Sequence, residues 1–201
     1  MNKKIAGAMI VVLMGVASGT EAQVSWDVPS FLGPRPGSDI GIYLVDPDAF
    51  GADLGLQGIW RTTGGANLEL RVGYLDAPDG ILQLGAATWG PVVVEGEDFP
   101  LDIAWTVGGG VSVDGLTTVS VPGGLSIGHT FDLESVAIQV YGHPRVALLI
   151  YEHPISDDLE LDLEGQFDLG ADFFLTEGLT LRVGASLGDY DALGIGLAWR
   201  Q

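Results

Sequence analysis

The stretch LELDLEGQFDLGADF, residues 159–173, decides the fold. Every odd position in it is apolar or Gly, and six of its seven even positions are Asp, Glu or Gln. Side chains repeat with a period of two only along a β-strand, so the run predicts one long strand with an oily face and an acidic face. The alternation then continues. Leu179, Leu181, Val183, Ala185 and Leu187 stand against Thr180, Arg182, Gly184, Ser186 and Gly188, and Leu193, Ile195, Leu197 and Trp199 stand against Gly194, Gly196, Ala198 and Arg200. Thr176-Glu177-Gly178 and Gly188-Asp189-Tyr190-Asp191 supply the turns between these three strands.

Upstream the same reading gives strands at 39–45, 54–61, 66–75, 82–88, 101–113, 116–128, 136–141 and 145–151. Thr62-Thr63-Gly64-Gly65, Ala77-Pro78-Asp79-Gly80 and Asp114-Gly115 are turn sequences, and Pro122-Gly123-Gly124 reads as a bulge or edge feature. Gly142-His143-Pro144 is expected to separate two strands. No segment carries a helical period, and Gly accounts for 31 of 201 residues. The expectation is an all-β, closed, antiparallel up-and-down barrel of about ten strands, within a range of about eight to twelve.

The ends of this region are set by the N-terminus. Lys3 and Lys4, the apolar run 5–16 and the small residues Thr20 and Ala22 form a signal peptide over 1–22, so the chain is expected to be exported and cleaved. A Pro-rich irregular lead-in over 23–37 then precedes a barrel domain over 38–201. Without Lys3, Lys4 and Glu21, the 8 basic and 27 acidic residues become six Arg and 26 acids, a charge of −20. That balance excludes nucleic acid as a partner, because phosphate neutralisation needs a basic patch. There is no Cys, so disulfides contribute nothing.

Whether the oily face meets lipid or a protein core decides the class of function. An exposed sheet face has no use for Gly, which weakens strands, whereas a narrow barrel interior has little room for anything larger. Gly184, Gly188, Gly194, Gly196, Gly108 and Gly110 all fall on the polar-phase side, which favours lipid outside. Trp105, Leu161, Leu163, Phe167, Leu181, Val183, Ile195 and Leu197 are then expected to face outward. The other class is a soluble exported lipocalin-like barrel or β-sandwich, oily inside, that binds an apolar ligand or a protein partner.

The terminal stretch Gly194-Ile195-Gly196-Leu197-Ala198-Trp199 resembles the insertion signal of bacterial outer-membrane β-barrel proteins, with Gly194, Leu197 and Trp199 in its key places. The polar residue expected two before the Gly is Ala192 here, and Arg200-Gln201 follow the aromatic. The resemblance implies an outer-membrane location, membrane lipid as surroundings and recognition by the barrel assembly machinery.

Chemistry is sparse. His129, His143 and His153 are each read into turns or loops, and Ser126 with His129 and Glu134 is the nearest approach to the triad of an outer-membrane hydrolase. Nothing joins them, so no enzyme activity is assigned. The acids Asp46, Asp48, Asp53, Asp157 and Asp158 lack a cation-loop spacing, and no metal or cofactor site is assigned. One constellation is unusual. Glu160, Asp162, Glu164, Asp168 and Asp172 form an acidic ladder on one strand face, with Arg182 on the next strand as its neighbour and Arg71 and Arg145 as further ones. If it lines an open lumen it favours cations; if internal ion pairs fill the lumen, the barrel is structural.

Overall fold

The computed structural model describes residues 25–47, 54–78, 80–96, 99–113, 117–152, 159–189 and 191–201. Ten strands lie among them: β1 (Asp39–Pro47), β2 (Leu54–Thr62), β3 (Leu68–Asp76), β4 (Ile81–Val93), β5 (Asp102–Val113), β6 (Thr117–Asp132), β7 (Ala137–Glu152), β8 (Leu159–Phe174), β9 (Leu179–Gly188) and β10 (Ala192–Arg200). Each pairs antiparallel with its neighbours, and β1 closes the circle on β10 from Asp39↔Arg200 to Pro47↔Ala192. Closure removes the free edges that an open sheet would expose.

The expected break at Gly142-His143-Pro144 is absent. β7 runs through it, which is why two predicted strands are one and the count is even. Pro144 costs the ladder an N–H, and the β6–β7 pairing lapses between Gly124↔Arg145 and Ile127↔Gly142, yet the β8 side stays in register at Pro144↔Phe167. A strand held on both flanks tolerates one missing bond. Both His143 and His129 therefore sit in strands rather than loops, while His153 lies outside the described residues. Around Pro122 the β5–β6 pairing lapses in the same way, between Val107↔Gly123 and Gly110↔Ser120.

The barrel is oily outside. Ile40, Ile42 and Leu44 on β1, Leu70, Val72 and Tyr74 on β3, and Leu193, Ile195, Leu197 and Trp199 on β10 are all exposed, and the residues between them are largely buried. Water is a poor solvent for such a surface, and hydrocarbon a good one. Trp105, Leu161, Leu163 and Phe167 are on this exposed face, and Leu181 and Val183 lie half-buried in the same phase.

The two mouths differ. At one end the chain enters β1 and leaves β10; at the other lie the five links from β1 to β2 through β9 to β10. Toward that second end the β7–β8 hairpin outruns β9 while β6 keeps pace with it to Thr118↔Tyr151, since β8 pairs with β7 up to Glu152↔Leu159 but with β9 only to Gln166↔Gly188. Seven residues of β8, about 23 Å of strand, project past the end of β9.

The plugged lumen as candidate functional site

The lead-in is the filling of the barrel. Residues 25–34 are buried, with Trp26 at 0% and Phe31 at 1% exposure. From the terminal mouth the segment passes Pro34 beside Gly128, then Phe31, and reaches Ser25 beside Ser120 and Gln83 near the opposite mouth. It has no regular structure, so its backbone must find partners elsewhere. The wall supplies them. Gln83 Nε2 donates to Ser25 O (3.3 Å), Gln57 Nε2 to Val28 O (3.4 Å), Arg71 Nη1 to Pro29 O (2.8 Å) and Arg71 Nη2 to Ser30 O (2.5 Å). Arg61 Nη2 donates to Phe31 O (2.9 Å) and Ser126 Oγ to Leu32 O (2.7 Å).

The small inward residues make room for its aromatics. A Cβ at Gly85 would overlap the Trp26 ring, and one at Gly110 or Gly108 would stand 2.6 or 3.1 Å from it. Phe31 fills the matching space left by Gly184 and Gly194. Its backbone has φ of 51°, which costs a non-glycine residue about 1–2 kcal/mol. Burial and a tilted contact with Tyr43 at 4.6 Å between ring centres offset that. Val28 and Phe31 join Tyr43, Val45, Ile59, Leu75, Ile81 and Ala192 in a small apolar core at this side of the lumen.

The rest of the lumen is ionic, and its charges are paired. Arg145 Nη1 meets Asp27 of the segment at 2.7 Å and its Nε meets Asp168 at 2.6 Å. Arg182 spans Asp39 (2.7 Å) and Asp172 (2.8 Å) and donates to the Tyr43 hydroxyl (2.8 Å). Glu69 is shared by Arg61 (2.6 Å) and Arg71 (3.0 Å). Nearer the terminal mouth, exposed Arg35 covers Asp102 at 2.6 Å. His143 bridges Thr106 Oγ1 (2.8 Å) and Ser30 Oγ (3.0 Å), with Asp168 3.5 Å away. Isolated charges at this depth would cost several kcal/mol each, so pairing is a condition of their burial.

The acidic ladder divides into two parts. Glu164, Asp168 and Asp172 are buried on the inner face, Asp168 and Asp172 bound to Arg145 and Arg182, and Asp168 further accepts a short hydrogen bond from Ser186. Glu160 and Asp162 are on the same face but within the projecting hairpin, only half-buried. Gly194, Leu197 and Trp199 lie on β10, the first beside Phe31 and the other two on the exterior.

Ser126, His129 and Glu134 are not brought together. A spacing of three puts Ser126 and His129 on opposite strand faces, so Ser126 holds Leu32 inside while His129 meets Pro100 O at 2.8 Å and Glu95 at 3.0 Å; Glu134 is exposed. Of the loop acids, Asp46 is exposed on β1, and Asp48, Asp53, Asp157 and Asp158 lie outside the described residues.

A closed, antiparallel, up-and-down barrel, oily outside and ionic inside, inverts the soluble pattern. This is the fold of a bacterial outer-membrane β-barrel. Solved structures with a similar architecture include the beta domain of the Bordetella autotransporter BrkA (TM-score 0.46, 12% identity, 83% of this chain and 100% of that one). KdgM porin in complex with disordered oligogalacturonate (0.43, 8%, 81% and 99%) and neisserial surface protein A (0.36, 10%, 83% and 98%) are others. At these identities the likeness is of fold alone. No protein-family model and no curated protein matches the chain.

Six groups escaped the sequence reading: Asp27, Asp39, Gln57, Arg61, Glu69 and Gln83. Two signals pointed to them. Gln57 and Arg61 share one strand phase, as do Glu69 and Arg71, and a lead-in exposed to water has no use for Trp26 and Phe31.

Proposed function

We propose that the protein is an outer-membrane barrel with a structural role, exported by cleavage after the 1–22 signal peptide and held shut by its own residues 25–37. The observation that carries this is the row of six segment carbonyls taken by wall side chains. Cation permeation along the acidic ladder needs water in the lumen and free carboxylates. Asp168 and Asp172 are instead bound to Arg145 and Arg182. Membrane lipid surrounds the apolar belt, and β10, through Gly194, Leu197 and Trp199, is the element offered to the barrel assembly machinery.

Planar-bilayer recording on the full chain tests the closed state. The expected result is no steady conductance; a steady, cation-selective current would overturn the structural reading in favour of permeation. Detergent fractionation and heat-modifiable gel mobility test the membrane location, and recovery as a soluble periplasmic protein would sink it. Trp199→Ser is expected to lower the amount assembled in cells while leaving refolding in detergent unchanged, which separates recognition from stability.

A further inference from the structure

We infer that the lumen contains an anion-binding track, Arg61–Arg71–Arg145, which the N-terminal segment occupies as an internal mimic of a small carboxylated or phosphorylated solute. The inference rests on the closed-lumen reading above, and its sign is opposite to that of the acidic ladder.

Charge balance comes first. Arg61, Arg71 and Arg145 are buried and hold two wall carboxylates between them at hydrogen-bond distance, Glu69 and Asp168, so the third negative charge that balances the three arginines comes from the segment itself, as Asp27. What meets the other bonded N–H groups of Arg61 and Arg71 is neutral: Gln57 Oε1 of the wall, and the carbonyl oxygens of Pro29, Ser30 and Phe31, three in succession. A guanidinium binds a carboxylate or phosphate far better than a carbonyl, because the charge-assisted bonds are shorter and roughly twice as strong. The segment supplies one such group. Asp27 places its carboxylate on Arg145, so a single stretch of chain presents an anion followed by a line of oxygen acceptors to three arginines.

Two buried donors support the same assignment. Arg61 Nη1 and Arg71 Nε have no acceptor among the described residues, although both side chains are fully buried and directed into the lumen. A single carbonyl cannot use the whole fork of a guanidinium, whereas a tetrahedral or planar oxyanion can engage it in pairs. A small cavity adjoins this place, lined by Asp27, Ser30, Glu69, Arg71, His143 and Arg145. An incoming oxyanion of this class would compete for Arg71 and loosen the segment at Pro29 and Ser30.

The native chain has no Cys, so Ser30→Cys gives the full-length protein one reporter of segment withdrawal. The refolded barrel in lipid vesicles is treated with a water-soluble maleimide, in inorganic phosphate or in sodium chloride of equal ionic strength. Phosphate is expected to speed labelling at least fivefold over chloride, and Arg71→Gln in the same background to remove that difference. Should Arg71→Gln not refold, Arg61→Gln serves as the same arm, and Ser25→Cys is the second reporter. Slow labelling in both salts overturns the anion track alone. An acceleration that survives Arg71→Gln also overturns it, because the arginine pair is then not the site. Fast labelling in chloride overturns the closed lumen and the track together.

Discussion

Arg145 on β7 holds Asp27 of the N-terminal segment at 2.7 Å with one nitrogen and Asp168 of β8 at 2.6 Å with another, so one guanidinium ties the filling of the barrel to its wall. Removing it leaves two buried carboxylates without that partner. Arg145→Ala is expected to destabilise the folded barrel by about 3–5 kcal/mol, the range for breaking a buried pair from one side. Urea unfolding in detergent micelles, followed by gel mobility, measures it; a loss below about 1 kcal/mol would mean that Asp27 does not reach Arg145.

The acidic ladder is predicted to respond unevenly. Asp168 accepts bonds from Arg145 and Ser186 in the interior, whereas among the described residues Asp162 accepts only from its neighbour's backbone, Leu163 N, at 2.8 Å in the projecting hairpin. Asp168→Asn is expected to cost about 3 kcal/mol and Asp162→Asn less than about 0.5 kcal/mol in the same unfolding assay. Equal costs would contradict the division of the ladder into an inner and an outer part.

Glycine is predicted to matter where it faces an aromatic ring of the segment. Gly85→Val drives two methyl groups into Trp26 and is expected to cost about 1–3 kcal/mol, with a red shift of tryptophan emission as the ring moves. Gly109→Ala, one residue from the Trp26 contact on the other face, meets nothing within 4 Å and is expected to be neutral or slightly stabilising. Should both behave alike, Trp26 does not occupy this place.

On the exterior, depth decides the cost of a charge. Val72 is central in β3 and exposed, so Val72→Arg is expected to cost about 2–4 kcal/mol in a bilayer. Leu161, 69% exposed, lies on the part of β8 that outruns β9, and Leu161→Arg is expected to cost about 0–1 kcal/mol. Refolding into lipid vesicles across a urea series gives both values. A cost at Leu161 as large as at Val72 would place the hairpin within the membrane.

The wall of this barrel was legible in the sequence because its physics is local. Alternation over residues 159–173, 179–188 and 193–199 follows from which face of each strand meets hydrocarbon, and no distant residue is needed to read it. Pro144 misled the reading for the converse reason, since its tolerance comes from the flanking strands and not from its own neighbours in sequence. The inner acids and Arg182 share a face by the same local rule, but their pairing does not follow from it. Asp39 reaches Arg182 over 143 residues and Asp27 reaches Arg145 over 118, separations at which one sequence gives no register. Segment 25–37 was legible only in its residue types. It lacks any period, and its place is fixed by backbone carbonyls that every residue possesses alike.

Those six carbonyls carry a last consequence. Gln57, Arg61, Arg71, Gln83 and Ser126 come from four different strands, and each spends a donor on the same short stretch of chain. The wall is therefore cast around a mandrel that precedes every strand in the chain. A deletion of a dozen residues there, which a map of the strands would count as trimming a tail, is in energetic terms a lesion at the centre of the protein, felt from β2 round to β6.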